Sequence, residues 1–227
     1  MSLAPVDYDF GVESNYAFAQ DITCSNDEAR KMYVEAFGHM LNYNHEQAIA
    51  CFTKCTELDP NCAMAWWGIA YCVSSNYNWS PGLGPGYDAI QQAVSLKDGC
   101  TELEQDLIMA LSTRHSKEAR DNANPAVLNM GNSPELNQAF AEAMAPLYEK
   151  YRGNLDVAAI YVEALMNLNP WTLWNKDAAT GEITPVDDST LLLIEIMEDA
   201  FENVPGAKEH PALCHLYCHA LELSPYP

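Results

Sequence analysis

Apolar residues along this chain recur every three to four positions, the spacing that gathers them on one side of a helix, and strict alternation is rare. Ser25-Asn26-Asp27-Glu28 reads as a capping box, with the serine oxygen and the glutamate carboxylate meeting orphan amides. It predicts a helix from about Asn26 to about Leu41. A second helix, about His45 to Leu58, carries Ala48, Phe52 and Cys55 on one face and stops at Asp59-Pro60, where proline cannot continue the ladder. A third runs from Ala63 to about Ser74, and Ala89-Ile90 marks a fourth. Thr101-x-x-Glu104 caps a helix to about His115, residues 116 to 132 read as an Asn-rich loop, and Ser133-Pro134 starts a helix to about Tyr151. A helix follows from about Leu155 to Leu168. Residues 171 to 185 read as a Trp-bearing loop, Asp187 and Asp188 cap a helix to about Asn203, and the last helix spans about Pro211 to Leu223.

A 34-residue echo runs through the first part of this pattern. Trp66, Ile69 and Ala70 stand where Met32, Glu35 and Ala36 stand one period earlier. The next echo is late: Ala48-Ile49 returns at Ala89-Ile90, 41 residues on, so seven residues are inserted in the aromatic, Gly/Pro-rich stretch 74 to 86. Such a stretch at a helix turn is a candidate ligand-facing lip or a tolerated surface insertion. Cys55-Thr56-Glu57-Leu58-Asp59-Pro60, Ala164 to Pro170 and Ala220 to Pro225 end alike, and Phe52, Tyr161 and Tyr217 each sit three residues before that ending.

At Trp66, Ile69, Ala70, Ala48, Phe52 and Pro60 the chain resembles the tetratricopeptide (TPR) repeat family, most strictly over about residues 29 to 74. The stretches Asn61 to Gly68 and His210 to Glu222 look like a group of larger, largely uncharacterised tetratricopeptide-like proteins. The resemblance implies an all-α helical-repeat superhelix, an α-solenoid of antiparallel helix pairs, over residues 25 to 227 after an aperiodic extension 1 to 24. It implies a protein-interaction scaffold, and a native chain that continues past Pro227. Each pair in such an array buries its apolar face only against its neighbours.

Charge narrows the partners. Thirty-two acidic against eleven basic residues give a net charge of -21, which repels phosphate backbones and anionic membranes, so neither nucleic acid nor membrane is expected. The charge suits basic peptides or cations, and equally suits acidic helix faces that keep a protein dispersed. The N-terminus has no basic start or apolar stretch, so a cytoplasmic protein is expected. Cys51/Cys55 and Cys214/Cys218 are four apart on predicted helices, a poor geometry for disulfides, and read as small apolar groups.

Three sets of residues offer chemistry. His215, His219 and Glu222 fall within about 60° of one another, opposite a Leu213, Tyr217, Ala220 stripe, and could converge on zinc, copper or iron or form a solvated polar face. Cys214 reads as core and Cys218 as flank. Trp66, Trp67, Tyr77, Trp79, Trp171 and Trp174 either cover an inner groove or line a pocket for an apolar or aromatic ligand. His45, His210 and His39 take aromatic framework positions and read as packing residues, and His115 ends a helix where its charge favours the dipole. No Gly-x-Ser-x-Gly elbow, HExxH run, CxxC pair or phosphate loop is present, so no catalytic residue is assigned.

Two readings stand side by side. One is a scaffold that accepts a peptide, partner protein or small ligand in an acidic, Trp-flanked groove. The other is a metal-dependent enzyme or metal-binding protein using His215, His219 and Glu222. The last helix is apolar over a broad arc of Leu213, Leu216, Tyr217, Ala220, Leu221 and Leu223. One preceding helix covers only part of that arc, so self-association through the C-terminal helix pair, or a longer native chain, is expected.

Overall fold

The computed structural model of the chain describes residues 19, 21–78, 86–121 and 133–226. Over the described residues the fold is all-α with one small hairpin. Among the described residues there are ten α-helices: α1 Asp27–Leu41, α2 His45–Leu58, α3 Ala63–Cys72, α4 Tyr87–Leu96, α5 Glu102–Ser112, α6 Lys117–Asp121, α7 Pro134–Lys150, α8 Leu155–Met166, α9 Asp188–Asn203 and α10 Pro211–Leu221. Strands β1 Trp174–Lys176 and β2 Ile183–Pro185 pair antiparallel, Trp174 opposite Pro185. None of the described helices is long and apolar enough to cross a membrane. The sequence after residue 24 reads as one continuous array. The contacts instead group the chain into two compact units, Met1–Ser75 with Ser80–Ala143, and Asn76–Trp79 with Met144–Pro227.

In the first unit each helix packs on the next from α1 to α5, and α3 also meets α1 and α5. The centre is α3, whose sequence is apolar on every side and which is therefore buried on nearly every side. Trp67 is fully buried, donates from Nε1 to the Leu107 carbonyl at 3.1 Å and stacks on Tyr71. It belongs to the core and not to a ligand groove, because one residue of helix turns it about 100° away from Trp66. Trp66 is half-buried and donates to the Pro60 carbonyl. Gly68 lets α2 and α3 close together: a Cβ there would lie 2.4 Å from Phe52 Cζ.

Polar anchors tie this unit's ends together. The cap of α1 is Asn26, whose Oδ1 accepts from Ala29 N; Ser25, one residue too early to reach that amide, donates its own N–H to Asp59 Oδ2 instead. Asp59 Oδ1 accepts from Asn61 N, so one carboxylate joins the start of α1 to the α2–α3 turn. The Thr101/Glu104 capping box forms as the spacing predicts. Buried Glu104 also accepts from the amide and hydroxyl of Thr23 at 2.7 Å each, and Arg30 donates to the Ile22 carbonyl. The end of the aperiodic extension is thus part of the packed unit. His115 is buried against Gly86 and within hydrogen-bonding distance of Ser74 Oγ, beyond the end of α5 and not at its last turn. Part of the expected Asn-rich loop is the short helix α6, opened by Ser116 Oγ; residues 122–132 lie outside the described ones.

In the second unit α8, α9 and α10 pack on one another. Every residue of α8 from Asp156 to Met166 is buried. Its one early carboxylate, Asp156, meets His210 Nε2 at 3.2 Å, while His210 Nδ1 accepts from Leu213 N. That imidazole is a side-chain helix cap with its Nε2 proton directed at Asp156, a framework role as its position predicts. The stretch expected to be a plain loop holds the β1–β2 hairpin. Asp177 Oδ1 accepts from Ala179 N, Thr180 N and Thr180 Oγ1, and Gly181 adopts φ +74°, so side-chain turn chemistry closes it without an Asn-Gly pair.

The apolar arc of α10 is better covered than counting one neighbour suggests. Leu213, Leu216 and Ala220 are buried because α8 covers it as well as α9. Tyr217 stands at the margin of the arc, donating its hydroxyl to Glu198 and meeting Phe201 edge-on, and Leu223 is the member left exposed. The eight cysteines are free thiols; Cys214 is half-exposed, not core, and Cys218 is exposed.

Two measurements test this packing. Gly68→Ala must push Phe52 aside and is expected to destabilise the protein by about 1–3 kcal/mol in chemical denaturation. A change indistinguishable from zero would mean that the helices are not in close contact there. The buried His45 imidazole is pushed down to about 4, chiefly by desolvation, with the Cys72 carbonyl acting the other way. Its folded value lies below the unfolded one, so its contribution is complete above about pH 6.5 and is lost as pH falls toward 4, by roughly 3 kcal/mol in all. Stability measured from pH 7 to 5 should therefore fall less steeply in His45→Phe than in the wild type.

Candidate functional site

The second unit brings together two features that stand far apart in sequence. His215 and His219, one turn apart on α10, point away from the buried Leu213, Leu216 and Ala220, and their rings meet edge to face with centroids 4.7 Å apart. Against them lie Tyr77 and Asn78 from the inserted stretch and Trp171 from the segment after α8. Tyr77 is 5.3 Å and Trp171 5.5 Å from the His219 ring, and Tyr77 and Trp171 stack at 5.2 Å. Asn78 Nδ2 lies 3.2 Å from His215 Nε2. The turn that presents Asn78 is closed by Asn76 Oδ1 accepting from Asn78 N.

Local structure explains why these side chains are held. Trp174 Nε1 donates to the Ala220 carbonyl at 2.7 Å, satisfying an orphan acceptor in the last turn of α10 and fixing the hairpin to the histidine-bearing helix. Leu173 is buried, and its carbonyl accepts from Thr190 Oγ1 and Val186 N, which seats the segment between Trp171 and the start of α9. Trp171 itself adopts φ +62°, a left-handed conformation that costs a non-glycine residue on the order of 1 kcal/mol or more. It remains half-exposed, whereas Tyr77 is almost fully buried.

The electrostatics divide the two imidazoles. Glu222 Oε1 lies 2.9 Å from His219 Nδ1, so the carboxylate orients that ring. Burial lowers the His215 pKa, and a positive charge on His219 would lower it further. Burial and the nearby Glu222 charge raise the Tyr77 phenol, opposed by the Trp171 backbone. The cluster combines an aromatic face, two imidazoles and a rim carboxylate.

Of the residues singled out in the sequence, Tyr77, Trp171, His215, His219 and Glu222 lie here, but the two histidines and the glutamate meet only as pairs, and their ligand atoms do not all come within 4.8 Å of one another as the convergence on one cation requires. Trp174 clamps the cluster from behind. Trp66 and Trp67 belong to the first unit, and Trp79 lies outside the described residues. Asn78 joins the cluster, and its place in the inserted stretch beside Tyr77 is a usable signal. A concavity of about 260 Å³ lined by Phe201, Asn203, Val204, Pro205 and Lys208 carries neither an imidazole nor an exposed tryptophan.

A second cluster lies in the first unit. Among the described residues, Glu35, His39 and Cys51 form the group of three histidine, cysteine or acidic side chains whose ligand atoms all lie within 4.8 Å of one another, close enough to hold a metal ion. Glu35 and His39 are four apart on α1 and Cys51 comes from α2. Burial pushes the Cys51 thiol up to about 11, with the Glu35 charge adding to it, and burial lowers His39. The i, i+4 pair was visible in the sequence, but its third member depends on how two helices pair.

No protein-family model, curated protein or solved structure matches this chain.

The geometry at α10 makes the titration of His215 a direct check. Its C2 proton, followed by NMR against pH, should report a value below an ordinary imidazole, and His219→Gln should raise it part of the way. An unshifted His215, or one indifferent to His219, would mean the two rings do not share an environment.

Proposed function

We propose that the chain is a tetratricopeptide-like superhelix that binds a basic peptide segment of a partner protein, and that the Tyr77, Trp171, His219 and Glu222 cluster is where a cationic side chain of that segment docks. The single observation that carries this is the half-exposed Trp171, held at positive φ with its ring against Tyr77 and against His219, the imidazole that meets the Glu222 carboxylate. A tryptophan held in a costly backbone conformation and left half in water has a reason to be presented. A lysine or arginine resting on that ring gains cation–π attraction, and a rim carboxylate completes its pairing. The net charge of -21 steers basic segments toward the protein from a distance. The helix-to-helix packing within the first unit, with α3 meeting α1 and α5 as well as its sequence neighbours, supports the repeat reading.

A second reading has one observation in its favour. Metal-ligating histidines commonly donate their other ring nitrogen to a carboxylate, and His219 faces Glu222 in that way. On this reading His215 and His219 bind zinc, copper or iron, with Glu222 orienting and not ligating.

Titration of lysine- and arginine-rich peptides, read by tryptophan fluorescence, separates the two. Basic peptides are expected to bind and acidic ones not, binding should weaken with salt, and Trp171→Ala should lower affinity about 5- to 30-fold with the circular dichroism unchanged. Equal affinity for acidic peptides, or a Trp171→Ala variant that binds as well as the wild type, would overturn the docking site. Stoichiometric metal lost on replacing both His215 and His219 would establish the second reading in its place.

A further inference from the structure

We propose that Glu35, His39 and Cys51 form a zinc site between α1 and α2. It is separate from the α10 cluster and independent of the peptide-binding reading. Glu35 and His39 stand one turn apart on the same face of α1, and Cys51 reaches them from the antiparallel α2. Cys51 is fully buried, His39 is 3% exposed and Glu35 is half-buried, so the site is enclosed by the helix pair and reached past the glutamate.

The donor set and its dimensions fit zinc. Zinc takes thiolate, imidazole and carboxylate ligands at about 2.3, 2.0 and 2.0 Å, which in a tetrahedron sets sulfur and oxygen donors about 3.5 Å apart. Cys51 Sγ and Glu35 Oε1 are 3.9 Å apart, within a few tenths of an ångström of that separation. All three ligand atoms lie within 4.8 Å of each other, close enough for one ion to bridge them. Three protein ligands would leave a fourth position for water. The soft thiolate disfavours magnesium and calcium.

Surrounding groups orient the ligands. Asn44, in the α1–α2 turn, places its amide nitrogen 3.2 Å from His39 Nδ1; with that amide turned so that Oδ1 accepts the Nδ1 proton, Nε2 is the ring nitrogen left for an ion. Gln47 Nε2 lies 3.8 Å from Cys51 Sγ, where an amide donor favours the thiolate form. Binding replaces the Cys51 S–H bond by a sulfur–zinc bond, and the proton leaves to solvent. The three ligands and both orienting amides come from one helix hairpin. The site therefore pins α1 to α2, and the ion stabilises the folded chain by mass action.

Cobalt(II) is the probe, since a thiolate ligand gives it a charge-transfer absorption that imidazole and carboxylate do not. The whole chain, stripped with a chelator and titrated with cobalt, should develop this band at one equivalent. Zinc should displace the cobalt and raise the melting temperature. Cys51→Ala should abolish the band, and Glu35→Gln, at a half-exposed position, should weaken zinc binding by more than the about 10- to 100-fold that orienting residues cost. The His215→Gln/His219→Gln variant should keep the band, as should Cys55→Ala. No thiolate band in the wild type, or a band that survives Cys51→Ala, would overturn the proposal. If Cys51→Ala fails to fold, a Glu35→Gln variant with wild-type zinc affinity would overturn it equally.

Discussion

A helix that is apolar on every side must be enclosed by other elements, and each of the two units is organised around one such helix. In the first it is α3, a run of alanine, methionine, tryptophan, tyrosine and cysteine that meets α1, α2, α4 and α5. In the second it is α8, buried from Asp156 to Met166 and covered by α9 and α10. Enclosure on this scale leaves little room for side chains between helices. Gly68 against Phe52 is the consequence in the first unit, and the small residues Ala158, Ala159 and Ala164 serve α8.

Enclosing these helices also buries polar groups, and the chain meets that cost with a few multiply bonded side chains. Asp59 holds two amides, from Ser25 and Asn61, and its carboxyl lies below the ordinary range because these bonds outweigh its burial. Glu104 accepts three bonds, from Thr23 and Thr101. His210 links Asp156 to the first turn of α10, which sets where that helix begins and so which way His215 and His219 face. The α10 cluster therefore inherits its orientation from the burial of α8. The same helix is held at its other end by Trp174 on the Ala220 carbonyl, a tryptophan whose polar edge matters more than its face.

The two clusters differ in the chemistry they can support. Around α10 an aromatic ring is half-exposed, one imidazole is oriented by a carboxylate, and the rim is acidic, an arrangement suited to a cation that arrives from solvent. Between α1 and α2 two donors are buried and the third is half-buried, and they are mixed in kind and closely spaced, which suits a metal ion with one open position. The two clusters draw on different units, so the two proposals call on separate sets of residues.

Helices, their caps and their ends are local matters, which is why the sequence alone determined them. His45–Leu58 begins and ends where the apolar period and Asp59-Pro60 place it, and the Thr101/Glu104 box forms as spaced. The same local logic erred where two residues competed for one amide, as with Ser25 and Asn26, or where turn chemistry lay in a single aspartate, as at Asp177. Periodicity identified His215, His219 and Glu222 as neighbours because they share a helix. Only the tertiary structure decided that Tyr77, 138 positions before His215, and Trp171 would lie against them, that Trp67 would be core while Trp171 faced water, and that Cys51 would meet Glu35 and His39. The period of one helix fixes which of its side chains share a face. Which faces meet depends on how several helices enclose a common apolar neighbour, a property of the assembled chain that no single stretch of it carries.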